Sequence, residues 1–325
     1  MRAAVIHTAG PPSVLKLESR PIPTPKHGEV LIRVRAFGLN RSEMFTRQGH
    51  SPGVHFPRIL GIEATGTVAA APGSTILREG DVVATAMGGM GRDFDGGYAE
   101  YTVVPAAQVQ KITTKIPWET LGAAPEMLQT AYGALFKALK LAAGESLLIR
   151  GGSTSVGLAA ASIARCYGAG RIAGTTRKKD REELLRSCGF DEVIVDEGEV
   201  AEKVRKLRPQ GFDKVLELVG TTSLADSLKC AAQGGLVCMA GIVGGSWTLE
   251  GGVSPMELIP STVALTVYGG GPKEFMETPL EELLRRFEER GLKVQVGKVF
   301  KLDEIVEAHE VMEANTAGGK IVVLT

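Results

Sequence analysis

The chain has 325 residues, 44% of them hydrophobic, with 37 basic side chains against 37 acidic ones. That length suffices for two domains with cores of their own, so disulfides are not needed to hold the fold. A zero formal charge without a basic block argues against electrostatically driven binding to nucleic acid or to an anionic membrane, and neither partner is expected.

Up to about Ala124 the chain offers short strands punctuated by Gly and Pro: Ala3 to His7, Val30 to Phe37, Glu63 to Ala70, Asp81 to Ala86, Tyr98 to Val104 and Val109 to Ile112. Regular turns between short strands predict a β-barrel-like domain over 1–124. From Met127 the period changes. Strands at Ser146 to Arg150, Arg171 to Thr175, Glu192 to Val195, Lys214 to Val219, Leu236 to Ala240 and Ala264 to Tyr268 alternate with helical stretches, which predicts a doubly wound parallel α/β sheet over 125–294. The charged helix Pro279 to Arg290, with its stripe Leu280, Leu283, Leu284 and Phe287, is expected on the outside of that sheet. Val296 to Phe300, the helix Asp303 to Glu313 and the strand Lys320 to Leu324 then return to the first domain over 295–325. The second domain is thus inserted into the first, and a cofactor should meet its substrate in the cleft between them.

Cys166, Cys188, Cys230 and Cys238 lie far apart with no C-x-x-C pair and read as small buried hydrophobes. Met1 to His7 starts as a strand rather than a leader, and no apolar run approaches membrane-spanning length, so a cytoplasmic location is expected.

The strand Glu145 to Arg150 runs into Gly151-Gly152-Ser153-Thr154-Ser155-Val156-Gly157 and then into the apolar-periodic Leu158 to Tyr167. Strand, glycine-rich turn and helix form a cradle for a dinucleotide pyrophosphate, because the backbone can approach the phosphates and the helix N-terminus supplies N–H donors. The G-x-G-x-x-G pattern is imperfect, with Thr154 in place of the middle glycine. Gly151, Ser153, Thr154, Ser155, Val156 and Gly157 are the expected contacts. At the end of the next strand, an NAD-binding fold would carry an acidic residue for the ribose hydroxyls. The chain has Thr175-Thr176-Arg177-Lys178-Lys179 there. A carboxylate would repel a 2′-phosphate, whereas hydroxyls and a guanidinium can hold one, so Thr176 and Arg177 point to NADPH. The alternative is that Arg177 to Arg181 begins a solvated helix.

Several segments resemble the medium-chain dehydrogenase/reductase superfamily in the right order: Gly28 to Val34, Gly38-Leu39-Asn40-Arg41-Ser42-Glu43, Leu60 to Val68, Gly80 to Val83, Gly96 to Tyr101 and Gly319 to Leu324. The resemblance implies a GroES-like β-rich catalytic domain with an inserted Rossmann domain. Zinc-dependent members place a cysteine ligand at the position of Asn40 and a histidine at that of Ile62, and carry a four-cysteine lobe between Met87 and Tyr98; this chain has none of these. The closer likeness is to the quinone oxidoreductase branch, which has asparagine at the Asn40 position and works without metal. His50, His55 and Glu63 form the one alternative metal set.

By resemblance, Asn40 points into the cleft as the polar contact, although an asparagine there equally suits a turn cap. The tyrosine many relatives have five residues later is Phe45, so water or the Ser42 hydroxyl is left as proton source. The same resemblance puts Thr130 beside the nicotinamide and its phosphates, Gly220 on the adenosine side, Gly241, Ile242 and Val243 on the nicotinamide side, and Asn315 and Lys320 over the cofactor, though the last two are also ordinary surface types. It implies pairing of the edge strand Ala264 to Gly270 with its copy in a homodimer. The expected activity is zinc-independent, NADPH-dependent hydride transfer to a quinone or other conjugated carbonyl, whose developing charge needs no Lewis acid. The alternatives are a 2-alkenal or enoyl-thioester reductase on the same scaffold, and a non-catalytic NADPH-binding protein.

Overall fold

The computed structural model describes residues 1–249, 251–289 and 291–325. They divide into one unit of Met1–Gln129, Gly270–Glu289 and Val296–Thr325, and a second of Thr130–Gly269 and Arg290–Gln295. Among the described residues, no helix is long and apolar enough to cross a membrane.

In the first unit, alternation sets the sheet. Val30, Ile32 and Val34 are buried while Arg33 and Arg35 face outward, so the strand Glu29–Gly38 presents one apolar side to the core. It pairs antiparallel with Glu63–Ala70, Tyr101–Pro105 and Lys320–Leu324. Val82–Ala86 and Val109–Lys111 extend the sheet on one side, and Val296–Lys301 closes the other, parallel to Lys320–Leu324. The return of the last thirty or so residues is therefore strand addition, with Val323 and Ile305 joining Ile32, Phe37, Leu60 and Tyr98 in one core. A smaller sheet of Lys16–Ser19, Arg2–Ile6 and Arg58–Ile59 completes the unit. The two outer strands of that sheet carry little apolar alternation, which is why periodicity does not reveal them.

The helix Leu280–Glu288 is a correction. It groups with this first unit rather than covering the parallel sheet. Its apolar stripe would suit either place, but its carboxylates decide: Glu281 accepts from the Thr113 N–H at 3.2 Å, and Glu288 from the Thr114 hydroxyl at 2.7 Å. Arg290, the expected end of that helix, lies outside the described residues.

In the second unit six parallel strands are β1 (Leu147–Arg150), β2 (Ile172–Thr176), β3 (Glu192–Val195), β4 (Phe212–Glu217), β5 (Ala231–Met239) and β6 (Ala264–Val267). Their order is β3-β2-β1-β4-β5-β6. The continuous burial of Leu147, Leu148 and Ile149 is what a strand covered on both faces requires. The order reverses between β1 and β4, and such a switch point at the carboxyl ends of the strands is where sheets of this kind bind their ligands.

Candidate functional site

The loop after β1 carries the local order expected of a phosphate cradle. Gly151 turns with φ +80°, a left-handed value that glycine adopts without strain. Thr154 caps the helix α1 (Ser155–Cys166): its Oγ1 accepts from the Gly157 N–H at 3.0 Å and donates to the Gly151 carbonyl at 2.8 Å. The missing middle glycine is thus replaced by a cap. A Cβ on Gly157 would stand 2.7 Å from the Gly151 carbonyl oxygen and 2.8 Å from that of Gly152, so only glycine lets α1 come this close. The N–H groups of Ser155 and Val156 lie in the first helical turn and have no helical carbonyl to reach. With Ser153 they are partly exposed, and this backbone fits a pyrophosphate.

Thr176 ends β2, and its hydroxyl accepts from the Lys178 N–H at 3.3 Å. Arg177 follows, exposed, and its side chain makes no hydrogen bond or ion pair among the described residues. It precedes the helical residues, which begin at Lys179. The loops after β4 and β5 are laced together: Val243 and Gly244 donate to the Leu218 and Val219 carbonyls at 3.2 and 2.7 Å. Gly220, at φ +105°, would put a Cβ 3.0 Å from the Gly241 carbonyl. Gly220, Gly241, Ile242 and Val243 therefore gather at one carboxyl edge of the sheet. Thr130 lies in the last turn of the helix Pro125–Tyr132.

In the first unit the structure assembles a buried polar cluster around Asn40. That residue occupies the N-cap position of the helix Arg41–Arg47, yet its side chain does not cap. Its Nδ2 donates to Glu63 at 2.9 Å and to Glu43 at 3.3 Å, and its Oδ1 accepts from the Lys320 ammonium. The turn-cap alternative is therefore not what forms. Lys320 is no surface residue either: 2% exposed, it sits 2.9 Å from Glu63 Oε1 and 3.5 Å from Glu126 Oε2. Burial opposes its charge, but the carboxylates of Glu63 and Glu126 hold its pKa above the usual lysine value. Glu63 also accepts from the Glu126 N–H at 2.9 Å. Glu43 accepts from the Ile62 N–H at 3.1 Å, and its second oxygen is buried with no hydrogen-bond partner among the described residues. Burial first, then the neighbouring Glu63 carboxylate, pushes the Glu43 carboxyl up to about 7, against the Ile62 N–H and Lys320, which favour its ionised form.

The same helix is anchored at its far end. Arg47, wholly buried, donates through Nε to His309 Nδ1 at 3.3 Å and pairs with Glu313, and the Tyr98 hydroxyl lies 3.1 Å from His309 Nε2. Burial, with Arg47 adding to it, pushes the His309 pKa down to about 3, so the ring is neutral and can accept from Arg47. At the near end the Ser42 hydroxyl accepts from Arg92 at 2.5 Å, which leaves its own proton to give. Arg92 is presented by a loop in which Met87, Gly88, Gly89 and Gly91 all take positive φ. Asn315, also at positive φ, accepts from Arg41.

His50 and His55 are exposed, and among the described residues no three His, Cys, Asp or Glu are grouped to hold a metal ion. The sequence reading missed Glu43, Glu126 and Arg92, and took Glu63 only as a metal candidate. The available signal was a glutamate inside the apolar run Leu60 to Ala64, a charge that burial permits only with a partner.

Residues 26–114 match the model of the alcohol dehydrogenase GroES-like domain, and 188–323 that of zinc-binding dehydrogenases. The quinone oxidoreductase of Pongo abelii is 31% identical over the whole chain and 98% of its own length. A mycobacterial structure solved in complex with NADPH superposes with a TM-score of 0.87 at 28% identity, covering all of both chains. A structure described as an NAD-dependent alcohol dehydrogenase superposes at 0.89, also at 28% identity and with both chains fully covered. The chain belongs to the medium-chain dehydrogenase/reductase superfamily, in its quinone oxidoreductase-like branch. It is an oxidoreductase with a GroES-like domain and a Rossmann domain.

Proposed function

We propose that the chain reduces a quinone or another conjugated carbonyl with NADPH and without zinc. The observation that carries the reading is the committed amide of Asn40: already bonded to Glu43, Glu63 and Lys320, it stands where, by the family resemblance, zinc relatives have a thiolate. No soft donor set is present there, which rules against activating an alcohol and in favour of an acceptor whose charge spreads by conjugation. A dinucleotide held through its pyrophosphate at the β1 loop would supply the hydride. The protein's own part is to orient the reactants and to offer hydrogen bonds to the developing oxyanion. For that donor the Ser42 hydroxyl is the candidate, oriented by Arg92 with its proton unspent, while Asn40, two residues earlier, is bonded to Lys320 and Glu63.

NADPH rather than NADH is supported by Arg177, whose guanidinium is uncommitted beside the end of β2. The two structural neighbours at equal identity carry different cofactors in their descriptions, so this choice rests on Thr176 and Arg177. We further propose a homodimer through β6, which among the described residues is an edge strand paired with β5 alone, and where Val267 is 65% exposed.

The test is steady-state turnover with NADPH and NADH over a panel of quinones, 2-alkenals and enoyl thioesters, with zinc measured by elemental analysis. Quinone or enal reduction by zinc-free protein, with NADPH preferred, is expected. Stoichiometric zinc or binding without turnover across the panel would overturn the proposal, and turnover confined to thioesters would move it to that substrate class.

A further inference from the structure

β1 ends in a charged residue that the chemistry above does not use. Arg150 is 1% exposed, and in the sheet it stands opposite Glu217, the last residue of β4. These two residues therefore flank the switch point where the strand order reverses. The guanidinium forks onto Asp196, just beyond β3, at 2.5 and 3.1 Å, and reaches Asp226, on the helix Thr221–Lys229, at 2.5 Å. A buried arginine bridging two carboxylates is costly to desolvate, so its retention asks for a purpose beyond filling space.

Following the hydrogen bonds outward leads to both nucleotide loops. Asp196 accepts from the Thr175 hydroxyl at 3.3 Å, and Thr175 Oγ1 accepts in turn from the Gly151 N–H at 3.0 Å, the first peptide of the phosphate loop. On the other side Arg150 lies 3.5 Å from Ser227 Oγ, which bonds to Glu217. The other oxygen of Glu217 accepts from the Val219 and Gly220 N–H groups at 2.6 and 2.9 Å. Asp226 accepts from Val200 and Ala201, holding the loop after β3. The Gly151, Val200, Ala201, Val219 and Gly220 peptides are thus linked through carboxylates and hydroxyls to one cation.

We propose that Arg150 is a positioning residue for the dinucleotide: it sets the peptides of the Gly151 loop and of the Val219-Gly220 turn together, and so governs affinity for the shared pyrophosphate. This rests on the nucleotide reading above. Its action lies at the phosphates common to both cofactors, whereas Arg177 acts at the 2′-phosphate of one. The two arginines therefore differ in what their loss does. Removing Arg177 changes the ratio of affinities, and disturbing the Arg150 network weakens both cofactors alike.

The experiment is fluorescence titration of NADPH and NADH into wild type, Arg150→Lys and Thr175→Val, with kcat at saturating cofactor. Lysine keeps the charge but cannot span both aspartates, and valine keeps the volume while leaving the Gly151 N–H without its acceptor. Both variants are expected to raise the two dissociation constants by the same factor, tenfold or more, with the NADPH to NADH ratio unchanged and kcat within twofold. A folded variant that binds both cofactors as wild type does, or one that alters the ratio, overturns the inference. If Arg150→Lys fails to fold, Thr175→Val decides alone. If wild type itself binds neither cofactor, the nucleotide reading falls and the inference with it.

Discussion

Glu43→Gln should abolish the pH dependence of stability that this carboxyl imposes on the first unit. Glu43 is 1% exposed, one oxygen has no hydrogen-bond partner among the described residues, and its pKa rises from an ordinary 4.5 to about 7. A carboxyl whose folded pKa is raised costs nothing while both states are protonated, below about 4.5. As pH climbs the unfolded chain ionises first, so stability is lost between about 4.5 and 7 and is level above that. At roughly 1.4 kcal/mol per pH unit the loss is about 3 kcal/mol. Glutamine keeps the acceptor for the Ile62 N–H and cannot ionise, so the variant should gain about 2–3 kcal/mol on wild type between pH 5 and pH 8. The other buried groups that face this carboxyl do not obscure the comparison. Burial and the surrounding carboxylates keep Tyr98 well above its usual range, the carboxylates hold Lys320 up, and His309, at about 3, affects wild type and variant alike. The assay is urea unfolding at several pH values, followed by Trp118 emission on a Trp247→Phe background, since Trp118 belongs to the first unit. A wild type to variant difference that stays flat from pH 5 to pH 8 would refute the reasoning.

Other outcomes follow from the same geometry. Arg177→Ala should weaken NADPH by about 1.5–3 kcal/mol, the worth of a hydrogen bond to a charged group, and leave NADH nearly unchanged; equal losses would remove the guanidinium from the 2′-phosphate. Gly157→Ala pushes a methyl to 2.7 Å from the Gly151 carbonyl, so calorimetry should show about 1–3 kcal/mol of destabilisation together with loss of NADPH binding. Lys320→Met strands the Glu63 carboxylate in the core and should cost about 3–5 kcal/mol in the Trp118 transition; a smaller change would mean the pair is hydrated. Val267→Lys places a charge on the exposed edge of β6 and should turn a dimer into a monomer in size-exclusion chromatography, whereas a monomeric wild type refutes the pairing.

The parallel sheet was readable because each of its signals is local. Six apolar runs, each followed by helical spacing, carry their own period, and the β1 loop declares itself in seven consecutive residues. The GroES-like unit was readable mainly through turn punctuation and resemblance. Its polar strands Lys16–Ser19 and Arg58–Ile59 were missed, and the helix Leu280–Glu288 was put on the wrong unit. An apolar stripe says that a helix is covered and not by what. The hydrogen bonds from residues 113 and 114 that settle its place join residues about 170 apart.

The Asn40 cluster shows the same limit at the level of chemistry. Asn40 was picked out, and so was Lys320, but as separate residues with separate roles, because 280 positions lie between an amide and an ammonium that share one hydrogen bond. Single-residue expectations put lysine and glutamate at the surface, and the average is sound because burial without partners is so costly. Where several such residues are gathered, each removes the penalty of the next: Glu63 is acceptable inside because Lys320 is there, and Lys320 because Glu63 and Glu126 are. That mutual dependence has no signature in any short window. It does have a consequence: Glu43, buried with one oxygen that has no hydrogen-bond partner among the described residues, is pushed up by that burial to about 7, so its proton responds to pH near neutrality.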